Sequence, residues 1–471
     1  MPHGRVKEPA RILVVGGGYV GMHAALRLQR QLEREEAEII MISPVPYMTY
    51  QPFLPETAAG SIAPAHVIVP LRRALPKCTI VLGEARRIDH AKKTAVVTTL
   101  TTEHEGRSDL EFAYDVLILA PGSVSRALPI PGLAEAGIGF KTVEEAIGLR
   151  HHVLKQLDIA SSTRDVEIRE AALTFVFVGG GFAGVEALGE LEDMARYAVR
   201  HYHNITPDDM RWVLVEAGDR ILPEADEQLG RCTVRELRSR NIDVRLGTRL
   251  ESCEHHVAVL SDGARFPTRT LVWTAGTAPH PIVEATDLPR TARGHLRATA
   301  TLRIDGTEDA WTAGDAASVP DITAAPTTSA FPCRQRKADV VGVAGGAAVR
   351  RVSAEGGGGR RAGGIDCAPN AQHAVHQAEL LADNVIASLR GSEIKEYRHA
   401  YAGSVASLGL HKGVAHLYGR KLTGYPAWLM YRAYHLSRVP TVNRKVRVAA
   451  DWTLAAFFKR ETAALGSLAN P

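Results

Sequence analysis

The chain has 471 residues, of which 45% are hydrophobic and 23% are charged. These values exclude a disordered whole chain and leave room for two or three domains, since a domain usually takes roughly 100–200 residues. Lysine and arginine (56) exceed aspartate and glutamate (52) by too little to indicate nucleic-acid binding by the whole chain.

Targeting signals and cysteine spacing bear on the cellular location and on the kind of site to expect. No segment has the ~18 consecutive apolar residues of a membrane-spanning helix, and the first residues lack the apolar core of a signal peptide. We therefore expect a cytoplasmic protein. The five cysteines form no CxxC pair, so neither a disulfide framework nor a redox dithiol is predicted, and no metal site is expected.

The first organised segment is RILVVGGGYVGMHAALRLQRQLEREEAEIIMIS, residues 11–43. An apolar run, a glycine turn, apolar residues at a period near 3.6 and a second apolar run predict a strand, a helix and a strand. Gly16 permits the turn, Gly18 lets the backbone approach a pyrophosphate, and Gly21 lets the helix pack closely on the strand. The helix N-terminus would hold the anion. A single triplet is weak evidence, because glycine turns also occur for structural reasons alone.

A second copy of this pattern covers residues 172–223, with a longer helix. Its glycines are Gly179, Gly181 and Gly184, and Glu216 ends its second strand. A carboxylate there can accept hydrogen bonds from an adenosine ribose and repel a 2′-phosphate, which favours NADH over NADPH. The alternative is that Glu216 only ends a strand and binds nothing, because its spacing from Gly179 exceeds the usual ~20 residues. The longer helix accounts for this excess.

The first copy has Ser43 where the second has an acid. A serine can still hydrogen-bond a ribose, but it selects a nucleotide less strongly. Other contacts should therefore identify the first nucleotide. In TAGDAA, Asp315 follows a glycine at a strand end and should face the same crevice, where its carboxylate could bind the hydroxyls of a flavin's ribityl chain.

Residues 333–366 differ in composition from the rest of the chain. They contain nine glycines between 342 and 364, seven basic residues and no aromatic residue. Such a segment cannot bury enough apolar surface to offset the entropy of ordering it. We expect a disordered surface loop; a functional basic loop is the alternative.

The C-terminal part has an amphipathic pattern. Apolar or small residues recur with helical spacing at Val446, Ala449, Ala450, Thr453, Leu454 and Phe457. Two tryptophans and several basic residues accompany this stripe and suit anionic lipid headgroups: Trp428, Trp452, Arg438, Arg444, Lys445 and Arg447, with Arg432 and the titratable His435 in the same stretch. The pattern predicts a helix that lies on a bilayer. A domain-packing or dimer helix is the alternative.

Several motifs, taken in chain order, resemble a known family. The two glycine motifs, APGS (120–123), TAGT (274–277) and TAGDAA (312–317) resemble the two-dinucleotide-binding flavoprotein superfamily. Further likeness lies in PYMTYQPFLPETAAGSI (46–62), GGGFAGVEALGEL (179–191), CAPNAQHAVHQA (367–378) and AWLMYRAYHLSRVP (427–440). These segments closely resemble the type II NADH dehydrogenases, which pass electrons from NADH through FAD to a membrane quinone. The likeness covers nearly the whole chain except 333–366.

The resemblance implies an α/β fold with two Rossmann-like domains, one for FAD and one for NADH, and a C-terminal amphipathic membrane-associating region. The FAD domain would take residues 1–150 and 301–400, and the NADH domain residues 151–300. Residues 401–471 would form the membrane-associating and dimerisation region.

The resemblance also assigns roles to individual residues. It implies FAD binding by Gly16, Gly18, Gly21, Pro52 and Asp315, with Ser43 beside them, and NADH binding by Gly179, Gly181, Gly184 and Glu216. Glu186 matches a family glutamate near the nicotinamide and the quinone, and Gln372 and Gln377 match a quinone-site motif. One helical turn would put His376 on the same face as Gln372. Plain helix surface is the alternative for both glutamines, and the insertion before them leaves the local geometry open.

The implied activity is that of a respiratory NADH:quinone oxidoreductase that pumps no protons. Its implied partners are NADH, a membrane quinone, the membrane surface and a second copy of the chain. A sulfide:quinone oxidoreductase would need redox cysteines near the flavin, which the sequence does not indicate. A flavin-dependent reductase of a soluble acceptor and a low-turnover flavin redox sensor are the remaining alternatives.

Overall fold

The structure is a computed structural model that describes residues 8–99, 108–126, 128–323, 366–367, 371–398, 403–417, 420–458 and 462–463. Except for Asp366, the segment predicted to be a disordered loop, 333–366, lies outside these residues.

Strands and helices alternate along most of the chain. As far as residue 125 they are β1 (Ala10–Val15), α1 (Tyr19–Gln31), β2 (Ala37–Ser43), β3 (Tyr47–Thr49), α2 (Leu54–Ala58), β4 (Ile68–Pro70), α3 (Leu71–Ala74), β5 (Thr79–Asp89), β6 (Thr94–Thr99), β7 (Ser108–Ala113), β8 (Val116–Leu119) and β9 (Ser123–Ser125). Next come α4 (Leu133–Ala136), β10 (Gly137–Gly139), α5 (Val143–Ser162), α6 (Val166–Leu173), β11 (Thr174–Val178), α7 (Phe182–Ala198), β12 (Arg211–Val215), α8 (Glu227–Ser239), β13 (Asp243–Arg245), β14 (Leu250–Ser252), β15 (Val257–Leu260), β16 (Arg265–Pro267), β17 (Thr270–Trp273) and β18 (Thr277–Pro279). The last are β19 (Leu296–Arg297), β20 (Ala310–Trp311), β21 (Ala317–Ser318), α9 (Ala371–Leu389), β22 (Gly403–Ser407), β23 (Gly413–Leu417), β24 (Arg420–Thr423), α10 (Tyr425–Arg438) and α11 (Val442–Phe457).

The first domain is built on a sheet with the strand order β20-β8-β1-β2-β5-β6-β7. Its first five strands run parallel, and β6 and β7 extend it antiparallel. The apolar β1 is central, with Ile12, Leu13 and Val14 fully buried. Such an open parallel sheet places ligands at the carboxyl ends of its strands.

The second domain repeats this arrangement in the parallel order β10-β17-β11-β12-β13. All five side chains of β11, TFVFV, are buried, as expected for a strand covered on both faces. Val178 at its end pairs with Val215 and Trp273, as Val15 at the end of β1 pairs with Ile42 and Leu119. The two predicted units are therefore structural equivalents, and the predicted α/β architecture is confirmed.

An antiparallel ribbon of β9 and β18 connects the two sheets. The second sheet includes β10, residues 137–139. Residue 150, the predicted boundary between the FAD and NADH domains, lies within α5. After residue 403, β22, β23 and β24 form an antiparallel sheet that packs against α10, and α11 follows. Within the described ranges, no helix has the length and apolar character needed to cross a membrane.

Candidate functional site

The first glycine turn follows β1 and leads into α1. Gly16 has a φ of +110°, and a Cβ there would lie 2.2 Å from the Ala120 carbonyl oxygen. A Cβ on Gly21 would lie 1.8 Å from the Gly16 carbonyl oxygen. Around Gly18, in contrast, a Cβ would meet no described atom within 4 Å, and none of the described side chains caps α1. The turn thus combines an uncapped helix N-terminus with open space for an anion, which fits a dinucleotide pyrophosphate.

The second glycine turn has the same geometry between β11 and α7. Gly179 has a φ of +119°, and a Cβ there would lie 2.6 Å from Thr274 Oγ1. A Cβ on Gly184 would lie 2.1 Å from the Gly179 carbonyl oxygen, and one on Gly181 would meet no described atom within 4 Å. This turn therefore fits a dinucleotide in the same way. We call the two glycine turns, each with the N-terminus of the helix that follows it, the first and second cradles.

Ser43 and Glu216 occupy equivalent places. The amide of Gly16 donates to the Ile42 carbonyl, and that of Gly179 donates to the Val215 carbonyl, both at 2.9 Å. Ser43 and Glu216 are the residues that directly follow these two carbonyls in the chain. The Glu216 carboxylate accepts from the amides of Gly180 at 2.5 Å and Gly218 at 2.6 Å, which orients it beside the glycine turn. The Ser43 hydroxyl is buried and donates to the Val45 carbonyl at 2.8 Å, so only its oxygen lone pairs remain for a ligand.

Asp315 lies in a short turn after β20 and is tied to both domains. The Ser123 hydroxyl, on the interdomain ribbon, donates to Asp315 Oδ2 at 2.7 Å. Lys141 Nζ, between β10 and α5 of the second domain, donates to Ser123 Oγ at 2.7 Å. Burial lowers the pKa of Lys141, and the nearby Asp315 and Glu145 oppose that shift. This Lys141–Ser123–Asp315 chain fixes the orientation of the carboxylate predicted to bind the ribityl hydroxyls.

The predicted glutamines both lie on α9 but in different surroundings. Gln377 is only 2% exposed, and its Oε1 accepts from the Gly314 amide at 2.8 Å. It therefore supports the turn that carries Asp315. Gln372 and His376 are half-buried near the start of the helix. Burial lowers the pKa of His376, and the positive charge of Arg438 lowers it further.

Glu186, on α7 beyond the second glycine turn, is buried against the C-terminal sheet. Its Oε1 accepts from the Ser407 amide at 3.1 Å, and the Ser407 hydroxyl donates to Glu190 Oε1 at 2.6 Å. Burial raises the pKa of Glu186 well above its ordinary value; the carboxyl groups of Glu190 and Glu56 add to the rise, and the Ser407 amide opposes it. The protonated form of Glu186 is thus favoured.

A buried ion pair holds the C-terminal helices on the first domain. Arg432 of α10 and Glu56 of α2 meet at 3.1 Å, with exposures of 7% and 0%. The Arg432 guanidinium carbon lies 3.9 Å from the ring centre of Trp428 and 4.6 Å from that of Trp452. Trp452 Nε1 also donates to Glu56 Oε2 at 2.5 Å. We call these four residues the Arg432 clamp.

Part of the expected lipid-facing surface is therefore not at the surface. Trp428 is buried and Arg432 is paired internally, so neither is placed to contact lipid headgroups; Trp452 is partly buried in the clamp. His435 packs on Tyr50 and Phe53, and burial lowers its pKa to about 3, so it is neutral rather than basic. The sequence could not show this, because Arg432 and Trp452 contact Glu56, and His435 contacts Tyr50 and Phe53, all of which lie almost 400 positions away in the sequence.

The apolar stripe of α11 does face outward. Val446, Leu454 and Phe457 are 63%, 55% and 81% exposed, whereas Val448 faces the protein and is buried. Phe458 after the helix and Leu429 of α10 add exposed apolar area. Exposed apolar side chains grouped on one face of a helix are typical of interaction sites.

Sequence reasoning missed the residues that connect the predicted ones. Ser123, Lys141, Glu56 and the buried role of Arg432 depend on tertiary contacts. Two signals could have suggested some of them: Ser123 ends the quoted APGS motif, and Arg432 is a charged residue in the middle of the mostly apolar segment AWLMYRAYHL. Nothing in the local sequence indicates that Lys141 contacts Ser123.

Two dinucleotide cradles on linked parallel sheets define a two-nucleotide oxidoreductase fold. A family model described as pyridine nucleotide-disulphide oxidoreductase matches residues 10–348. The chain belongs to this family. The four cysteines that the structure describes, Cys78, Cys232, Cys253 and Cys367, are free thiols.

Curated relatives extend along nearly the whole chain. It is 26% identical to the mitochondrial internal alternative NAD(P)H-ubiquinone oxidoreductase A1 of Arabidopsis thaliana, over 96% of this chain and 85% of the relative. It is 24% identical to the type II NADH:quinone oxidoreductase of Mycobacterium tuberculosis, over 94% and 87%. A Staphylococcus saprophyticus protein with the same description is 25% identical, over 90% and 94%. These matches confirm the predicted resemblance to type II NADH dehydrogenases.

Solved structures show the same fold. NDH2 from Plasmodium falciparum in complex with NADH superposes with a TM-score of 0.79 at 17% identity, over 97% of this chain and all of that one. The sulfide:quinone oxidoreductase of Aquifex aeolicus superposes with a TM-score of 0.66 at 16% identity, over 96% of both chains. At these identities, both likenesses concern the fold alone.

Proposed function

We propose that this protein is a FAD-dependent oxidoreductase that takes electrons from NADH and passes them to a membrane quinone. The observation that carries this proposal is the pair of equivalent dinucleotide cradles, the second of which has Glu216 held at its edge by two backbone amides. Relatives named as type II NADH:quinone oxidoreductases, matched over at least 90% of this chain, support the choice of donor and acceptor.

FAD would occupy the first cradle. Gly16, Gly18 and Gly21 would receive its pyrophosphate, Ser43 would lie at its adenosine end, and Asp315 would bind its ribityl hydroxyls. Pro52 would contribute through the loop before α2, whose position is fixed by a hydrogen bond from the Tyr431 hydroxyl to the Pro52 carbonyl at 2.5 Å. Bound flavin supplies hydride acceptance and onward electron transfer, so the chain itself needs no nucleophile.

NADH would occupy the second cradle, with its pyrophosphate at Gly179, Gly181 and Gly184. The Glu216 carboxylate would accept hydrogen bonds from the adenosine ribose and repel a 2′-phosphate. Glu186 would hydrogen-bond the nicotinamide amide or assist proton delivery to the quinone.

The quinone would approach α9 near Gln372, with Gln377 supporting the flavin-binding turn. The outward apolar side chains of α11 would lie in the interfacial region of the membrane, and the basic Arg444, Lys445 and Arg447 would favour anionic lipids. The protein would thus be peripheral, and we propose that it lies on the cytoplasmic face of the cell membrane. Formation of a homodimer through the C-terminal region is a further prediction, which light scattering tests.

Steady-state assays of the purified holoprotein test the proposal. A short-chain quinone should support rapid NADH oxidation, and the rate should be much lower with NADPH. Wild-type protein should float with liposomes that contain anionic lipid, and the double variant Leu454→Glu/Phe457→Glu should not. Val166→Glu, which alters an apolar residue that is 75% exposed on the second domain, is the matched control and should still float. Activity with soluble acceptors alone would instead favour a soluble reductase.

A further inference from the structure

Two polar atoms at the start of α1 are buried without a hydrogen-bond partner among the described residues. They are the Tyr19 hydroxyl and His23 Nε2. The Gln51 backbone faces the Tyr19 hydroxyl closely enough to lower its pKa against the raising effect of burial, yet no hydrogen bond of ordinary geometry forms. Buried polar atoms are nearly always satisfied, so two such atoms one helical turn apart indicate a missing ligand.

These two side chains lie on the face of α1 that meets α9. Arg27, one turn further along that face, bonds to Asp383 of α9 through Nε and Nη2. Near the start of both helices, the turn at Gly314 lies between Val20 and Ala374, so α1 and α9 run side by side in the same direction. Helical spacing back from Asp383 puts His376 and Gln372 on the facing side.

The surroundings favour a flat, neutral ligand. The Tyr19 and His23 rings are parallel to within 4°, and the Tyr50 ring centre lies 6.1 Å from that of Tyr19. Burial lowers the pKa of His23 to about 4, so its ring is neutral at physiological pH. A phenol and a neutral imidazole offer hydrogen bonds without net charge, and flat aromatic groups pack well against a conjugated ring.

We propose that Tyr19 and His23 hydrogen-bond the carbonyl oxygens of the quinone ring and so determine which ring acceptors the protein accepts. This inference rests on the proposed function and gives the acceptor site two residues of α1 opposite Gln372. Because Tyr19 directly follows Gly18, the acceptor ring is placed at the edge of the flavin cradle. These residues position the acceptor and hold no electron themselves.

The test combines thermal stability with acceptor kinetics in Tyr19→Phe and His23→Leu holoenzymes. Each change removes a polar atom that has no partner in the free protein, so the melting temperature should stay equal or rise. Loss of a hydrogen bond to the ligand should raise KM for a short-chain quinone about five- to tenfold. FAD content and the rate with ferricyanide, which needs no carbonyl contact, should remain unchanged.

Tyr202→Phe is the matched control, because its hydroxyl donates to Asp158 at 2.7 Å in the second domain. It should lower the melting temperature modestly and leave the quinone KM unchanged. An unchanged quinone KM in both α1 variants, or a loss of stability without a kinetic effect, would overturn the inference while leaving the proposed function intact. A wild-type enzyme that reduces no quinone would overturn both.

Discussion

Replacing Arg432 with methionine should release the C-terminal helices from the first domain. The change leaves the Glu56 carboxyl group fully buried with Trp452 as its remaining described hydrogen-bond partner. Removing one partner of a buried ion pair costs about 3–5 kcal/mol, because the remaining charge is uncompensated. Loss of two cation–π contacts adds about 0.5–2 kcal/mol each. The penalty is large compared with the stability of a typical domain, about 5–15 kcal/mol.

The double variant Glu56→Met/Arg432→Met separates this charge effect from lost packing. Without a buried charge, it should recover most of the stability lost in Arg432→Met. Arg432→Lys keeps the charge but loses the bidentate contact with Glu56 and the planar group that stacks on the tryptophans. Its stability should therefore lie between those of the wild type and Arg432→Met.

Hydrogen exchange measured by mass spectrometry tests this directly. In Arg432→Met, amides of α10 and α11 should exchange faster, and those of β1 and β11 should keep their protection. NADH oxidation with ferricyanide should persist, and liposome flotation should weaken. Unchanged exchange in α11, or a double variant as unstable as the single one, would refute the reasoning.

Three further outcomes are expected. Glu216→Ala should weaken NADH binding and raise the relative activity with NADPH about tenfold or more in kcat/KM; an unchanged ratio would remove the ribose assignment. Gln377→Leu leaves the Gly314 amide without its described acceptor and should cost about 1–3 kcal/mol of stability and weaken FAD retention, measured by flavin release on dilution. Because the native pKa of Glu186 is raised above 4.5, the folded chain keeps a proton that the unfolded chain loses, so this group lowers stability as pH rises. Glu186→Gln should therefore gain more stability over the wild type at about pH 8 than at about pH 5, and an equal gain would contradict the shift.

The cradles could be predicted from sequence because their information is local. A strand, three glycines and a helix specify the turn within about ten residues, and Gly16 and Gly179 indeed adopt left-handed conformations there. Glu216 could be placed because it follows the next strand. The hydrogen bonds that its carboxylate accepts from the Gly180 and Gly218 amides form because the glycine turn brings these residues together, and the sequence already indicates that turn.

The C-terminal region could be predicted only in part. Helical spacing identified Val446, Leu454 and Phe457 as one stripe, but it could not show which neighbouring residues dock on α2. Trp428 and His435 look like interfacial residues in isolation, but both are buried: His435 packs on Tyr50 and Phe53, and Trp428 packs on Arg432 and His411. The buried role of Arg432 likewise follows from Glu56, which local patterns do not connect to it.

Anaerobic stopped-flow spectroscopy of the two half-reactions tests the central claim most directly. Mixing the FAD-loaded protein with NADH should bleach the absorbance of oxidised flavin, and a second mixing with a short-chain quinone should restore it. An absorbance that NADH leaves unchanged, or one that ferricyanide restores but a quinone does not, would contradict the account.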